Sequence, residues 1–131
     1  MDPQQPHQPL DSPLAHATVL IIGVGGLGSP CALALAEAGV GHLILVDPDV
    51  VEVSNLHRQP LYTDADLGRR KVAVAAEGLV RRAPALAVTA IPVRFDGTWD
   101  DRFADVDVVV DGTDTIAAKF LINDAAVRRR V

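Results

Sequence analysis

Cysteine occurs once in the 131 residues, at Cys31, so the chain can close no disulfide of its own and cannot build a Cys-x-x-Cys metal site or redox pair. A reducing compartment is the expectation. Basic residues are in the minority: 12 Lys and Arg face 17 Asp and Glu, a formal charge of -5, which offers no whole-surface attraction to nucleic acid or anionic lipid. No apolar run approaches the roughly 18 residues of a membrane span, and the chain does not open with the basic-then-apolar order of a secretory signal. These shortages together read as a cytoplasmic protein with no nucleic-acid and no membrane partner. No internal repeat is visible. The length leaves room for one domain, and with 49% of residues in the apolar set AVILMFWYC that domain can bury a real core.

Pro3, Pro6, Pro9 and Pro13 stand among Gln, His and Asp, a composition that buries too little apolar area to offset its ordering entropy. Residues 1–16 therefore read as a flexible tail and 17–131 as the domain. Residues 18–22 form a short β-branched run stopped by glycine, the pattern of a strand buried on both faces. The Ala- and Leu-rich stretch 26–38, closed by Gly39, predicts a small-residue helix, and residues 42–46 repeat the buried-strand pattern up to Asp47. Strand, glycine turn, helix and strand in about thirty residues make a βαβ unit with a parallel sheet. Beyond a polar stretch over 48–68, Val72, Ala75, Ala76, Leu79 and Val80 recur with the spacing of an amphipathic helix. A third strand is predicted over 86–93, at an edge or strand end because Pro92 cannot donate to a ladder. A fourth is predicted over 106–110, and Ile116, Ala117, Phe120, Leu121 and Ala125 carry the stripe of a last helix. The fold class is α/β, Rossmann-like: a mostly parallel sheet with helices on both faces and its ligand site beyond the carboxyl ends of the strands.

Polar motifs fall where that fold wants a site. Gly23-Val24-Gly25-Gly26-Leu27-Gly28 fits G-x-G-x-x-G directly after a strand and at the opening of a helix, where backbone N–H groups can face an anionic phosphate. The acidic residue that such a loop calls for about 20 positions on is present as Asp47, placed to accept hydrogen bonds from ribose hydroxyls. An adenosine-containing nucleotide is implied, though not which one. Arg58 follows shortly after that carboxylate, and Lys71 opens the next helix. A dinucleotide oxidoreductase has no need of these cations, whereas a site for a nucleoside triphosphate must neutralise clustered phosphate charge.

The string Gly-x-Gly-Gly-x-Gly, then Asp47, Asp49, Val51, Ser54, Asn55, Leu56, Arg58 and Gln59 at their spacings, then Gly68 with Lys71, then Asp111-Gly112-Thr113-Asp114, closely resembles the ThiF/MoeB/HesA family. These are bacterial relatives of the ubiquitin-activating enzyme, and the resemblance runs from Ala17 to about Val127. It implies an ATP-binding adenylyltransferase that uses Mg²⁺ to activate the C-terminal Gly-Gly of a sulfur-carrier or ubiquitin-like protein. Carried over by position, Gly23, Gly25, Gly26, Gly28, Asp47, Asn55 and Gln59 bind the nucleotide, with Asp47 on the ribose. Asn55, Arg58, Gln59 and Lys71 lie on the phosphate side, and Asp114 is the Mg²⁺-associated carboxylate; Arg58, Lys71 and Asp114 form the catalytic set.

Departures from the family pattern shape the remaining expectations. Residues 1–16 contain no arginine to reach across a dimer to the partner's ATP. Thr115 and Lys119 stand where relatives usually have Asn and Arg, and lysine keeps the charge without the bidentate fork. The zinc-binding cysteine pairs of relatives are missing, so no zinc is expected. The expectation is a C-terminally truncated member, incomplete on its own, that forms a homodimer or is completed by another subunit. Blander roles stay open: Arg58 and Lys71 as surface cations, Asn55 as a turn residue, and Asp111 as a hydrogen-bond acceptor where the last helix starts. His42 and His57 lack metal spacing, and Cys31 reads as a buried apolar residue. At the level of function, an NAD-dependent oxidoreductase and a non-catalytic interaction module are the alternatives.

Overall fold

A computed structural model of the chain describes residues 13–56 and 59–131. Four strands, β1 (Thr18–Ile22), β2 (His42–Val46), β3 (Ala87–Ile91) and β4 (Val108–Asp111), form one parallel sheet in the order β3-β2-β1-β4. Ile22 is in register with Val46 and with Asp111, and Val46 with Ile91, so all four strands end level. Whatever follows each strand therefore arrives on one rim.

Alternation along the strands splits the core in two. Val19, Ile21, Leu43 and Leu45 point to the face covered by α1 (Gly28–Glu37) and α2 (Lys71–Arg82). Leu20, Ile22, Ile44 and Val46 point to the other, where Phe103, from the 3-10 turn Asp101–Phe103, and Ile122 of α3 (Ile116–Arg129) pack with Phe95 and Trp99 at the edge. The Rossmann-like arrangement with helices on both faces is thus the fold.

Element boundaries differ from the sequence expectation in instructive ways. Helix α1 begins at Gly28 rather than Gly26, because Gly25 to Leu27 form a turn. In α2 the buried face is rotated: Val74 and Gly78 join Val72, Ala75 and Leu79 inside, while Val80 is 41% exposed. Leu61 lies against Gly78 on that face, where an added Cβ would meet its Cδ2 at 3.4 Å. Strand β3 stops at Ile91 beside Pro92 and is an outer strand, as the proline foretold. Strand β4 starts two residues late, at Val108; just before it the Asp107 N–H donates to the Thr18 carbonyl at 2.9 Å and the Asp107 carboxylate accepts the Thr18 N–H at 2.8 Å. The stripe expected to seat the last helix is wrong. Ile122 and Ala125 are the buried residues of α3, whereas Ile116 is 75% and Phe120 72% exposed.

Most of the expected tail lies outside the described residues. Its described part, Pro13–His16, is a short 3-10 helix whose Leu14 carbonyl accepts the Gly41 N–H at 3.0 Å.

Candidate functional site

Of the four glycines in the loop after β1, two are consumed by packing. Gly23 has φ +92°, a conformation that side chains with a Cβ rarely adopt. A Cβ on Gly28 would overlap the Gly23 carbonyl, and a Cβ on Gly112 would overlap the same oxygen. The loop, the start of α1 and the turn after β4 therefore meet backbone to backbone, and helix packing alone accounts for Gly23 and Gly28. It does not account for the other two. A Cβ on Gly26 would meet nothing within 4 Å, and one on Gly25 would make only ordinary contact, 3.6 Å, with Gln59 Nε2. The N–H groups of Gly25, Gly26 and Leu27 have no acceptor among the described residues. An open row of N–H groups at a helix start suits an anion.

Asp47 follows β2 onto the same rim and is 6% exposed. Its Oδ2 accepts the Val24 N–H at 2.9 Å and its Oδ1 the Asp49 N–H at 2.8 Å, so it anchors the glycine loop as well as facing the cleft. Each carboxylate oxygen keeps a lone pair for a ribose hydroxyl. Asn55 is buried in a 3-10 turn, where its Oδ1 accepts the Glu52 N–H at 2.8 Å; the turn role is real, and the residue also lines the cleft. Gln59 is 4% exposed, and its Oε1 is buried with no hydrogen-bond partner, a vacancy that a ligand donor would fill. Lys71, the first residue of α2, is 6% exposed and lines the cleft without a carboxylate in salt-bridge range among the described residues. Its stem is packed inside and the residue lines the cleft, so Lys71 is not a freely solvated surface cation. Arg58, with His57, lies outside the described residues.

On the far side, Asp114 is exposed at the rim. Thr115 caps α3, accepting the Ala118 N–H at 3.2 Å. Asp111 is not the cap: its Oδ1 accepts from the Thr113 N–H at 2.9 Å and from the Thr113 hydroxyl, and its Oδ2 pairs with Lys119 Nζ at 3.3 Å. Burial works to raise the Asp111 pKa, but the Thr113 bonds and the Lys119 charge outweigh it and hold the carboxyl below its ordinary range. Lys119 also donates to the Thr113 carbonyl at 2.7 Å, so it braces this turn.

The cleft enclosed by these groups measures about 910 Å³, ample for a nucleotide. Arg94 and Phe95, which also line it, escaped the sequence reading; they follow the end of β3 and reach the rim by the same logic that brought Asp47 there. Tyr62 was missed as well. It is 4% exposed, and its hydroxyl donates to the Val24 carbonyl at 2.6 Å. Burial, reinforced by the Asp47 charge, pushes its pKa well above the usual phenol value, so it remains a donor. His42 bonds Thr89 Oγ1 at 2.8 Å across β2 and β3, a structural role. No group of three metal-ligating side chains exists among the described residues.

Fold and site define a Rossmann-like α/β domain whose strand ends carry an open glycine loop, a carboxylate anchor and a cleft-lining lysine. The ThiF family model matches residues 7–131, and the chain belongs to the ThiF family. It is 47% identical over 115 residues to the sulfur carrier protein ThiS adenylyltransferase of Escherichia coli, covering 87% of this chain and 46% of that protein. To the probable adenylyltransferase/sulfurtransferase MoeZ of Mycobacterium tuberculosis it is 45% identical over 115 residues, covering 87% of this chain and 29% of the relative. Among solved structures, E. coli tRNA N6-threonylcarbamoyladenosine dehydratase, TcdA, in complex with ATP superposes with a TM-score of 0.82 at 29% identity, covering 90% of this chain and 49% of that one. The chain thus spans less than half the length of each of these proteins.

Proposed function

We propose that this chain is the nucleotide-binding part of an adenylyltransferase that transfers AMP from ATP to the C-terminal Gly-Gly carboxylate of a sulfur-carrier or ubiquitin-like protein. The observation that carries the reading is that one cleft is lined both by Lys71, whose ammonium has no carboxylate partner among the described residues, and by Gly25 and Gly26 with their open N–H groups. A neutral ligand gives neither any purpose. In the reaction a carboxylate oxygen of the carrier attacks the α-phosphorus, the bond from that phosphorus to its bridging oxygen breaks, and pyrophosphate leaves with the electron pair. A carboxylate is already ionised at neutral pH, so no general base is required. Catalysis then rests on position and on charge placed around the phosphates. Lys71 and Arg58 supply cations, Asn55 and Gln59 amide groups, and Asp47 holds the ribose while fixing the loop.

Asp114 is the residue to hold Mg²⁺. That ion is commonly bound through one or two carboxylates together with substrate phosphates, which suits an exposed carboxylate on the cleft lining. When bound, it neutralises phosphate charge. Relatives named as adenylyltransferases argue against an NAD-dependent oxidoreductase.

The partner side of the reading is a second copy of the chain or a completing subunit, supported by the exposed apolar side chains Ile116, Phe120 and Val127 on α3. Sedimentation of wild type and Phe120→Glu tests the second copy: association lost in the variant supports it, and a monomeric wild type rejects it and leaves the completing subunit. For the activity, ATP–pyrophosphate exchange is measured with an intact carrier and with one lacking its Gly-Gly end. Exchange only with the intact carrier supports the reading, whereas exchange indifferent to the Gly-Gly end overturns it.

A further inference from the structure

Tyr62 sits on the loop between β2 and α2, yet its only polar atom reaches 38 residues back in sequence to the carbonyl of Val24, inside the glycine loop. The same residue's N–H is taken by Asp47. Val24 is thereby held at both ends, and its side chain is fully buried. A peptide group is planar, and no cis bond occurs among the described residues, so the Val24 carbonyl and the Gly25 N–H point in opposite directions. A hydrogen bond that draws the carbonyl toward Tyr62, into the core, necessarily turns the Gly25 N–H the other way, toward the cleft that Gly25 lines. Glycine at position 25 removes the steric bar to the opposite orientation, since it tolerates the φ that a flip of this peptide would impose. Flipped, the peptide would aim a carbonyl oxygen at incoming phosphate and lose one N–H of the open row.

We propose that the Tyr62 hydroxyl locks the Val24–Gly25 peptide with its N–H facing the cleft, making Tyr62 a positioning residue for phosphate binding. The inference rests on the nucleotide reading of the cleft and goes beyond it by assigning the orientation of the loop to a side chain that touches no ligand. Burial in the α2-side core explains why residue 62 is large and apolar, but that role would be filled equally well by phenylalanine. Only the lock needs the hydroxyl.

Tyr62→Phe is the test, because it removes one oxygen and keeps the ring. The first readout is free of ligand: ¹⁵N–¹H spectra of wild type and variant. The lock predicts a Gly25 amide resonance that shifts or broadens through exchange in the variant, with the amides of Leu43 and Leu45 unmoved as evidence of an intact fold. An unchanged Gly25 resonance overturns the proposal, and so does a general change across the sheet. The second readout is calorimetric titration with ATP–Mg²⁺ and with adenosine. ATP affinity is expected to fall roughly tenfold, the worth of one buried hydrogen bond, while adenosine affinity stays within about twofold. Equal losses for both ligands, or no loss for either, count against the lock. A wild type that binds adenosine as well as ATP would instead remove the nucleotide reading, and the ligand-free spectra would still decide whether the peptide is held.

Discussion

The two halves of the glycine loop present opposite situations within six residues. At its ends, Gly23 and Gly28 are pressed against Gly112, so tightly that no Cβ fits at Gly28 or Gly112. In its middle, Gly25 and Gly26 have room for one, and their N–H groups have no acceptor among the described residues. The ends are glycine because of the protein's own packing; packing gives the middle no such reason, and the proposed phosphate site would supply one. A motif that looks uniform therefore contains two independent requirements, one of stability and one of binding, and substitutions can pull them apart.

The largest effect is expected at the packed ends. Gly28→Ala must displace the Gly23 carbonyl and should cost about 3 kcal/mol or more in stability, read from the midpoint of urea unfolding. An unfolding midpoint close to wild type would break the comparison at its packed half. Lys71→Met should do the reverse. Loss of charge-assisted bonds to phosphate should weaken ATP by about tenfold to a hundredfold, corresponding to roughly 1.5–3 kcal/mol. Stability should move by less than about 1 kcal/mol, because the ammonium makes no hydrogen bond or ion pair among the described residues and methionine keeps the buried stem. A fall in stability with ATP affinity intact would make Lys71 a structural residue. Gly26→Ala is a finer probe of the middle: stability should move by less than about 1 kcal/mol, and upward if at all, while ATP affinity drops several-fold through steric interference with the phosphate. The smallest effect concerns acid. Asp111, whose folded pKa is depressed, braces the turn that presents Gly112 to Gly23. Its contribution is present above the unfolded carboxylate pKa of about 3.9 and is lost as pH falls through the lower folded value. Asp111→Asn should accordingly flatten the stability profile below about pH 4 and leave it parallel to wild type near neutrality; an acid limb as steep as wild type's would contradict the assignment.

Much of this was legible before any coordinates, and the reasons are physical. Uninterrupted apolar runs such as 19–22 and 43–46 can only be strands buried on both faces, and Asp47 at the end of the second run marked the rim. Gln59 and Lys71 were named by resemblance, and their burial is what the structure adds. What stayed hidden depends on tertiary partners. Helix α3 carries apolar residues on two sides, Ile122 and Ala125 inward and Ile116 and Phe120 outward, so spacing alone could not choose the seated face. In α2 the buried face includes Gly78, against which Leu61 packs, and a loop residue has no periodic signature to announce it. The start of α1 was placed too early because the Ala- and Leu-rich stretch runs without a break into the turn at Gly25 to Leu27. Tyr62 bonds a backbone carbonyl, and no pattern of side chains announces such a partner.

The central claim is that the open middle of the loop and Lys71 together receive phosphate. Its most direct measurement is a paired calorimetric titration of wild type and Lys71→Met with ATP–Mg²⁺ and with adenosine. Wild type should prefer ATP, and the variant should lose most of that preference while binding adenosine as wild type does. Equal losses for the two ligands, or a wild type that favours adenosine, would contradict it.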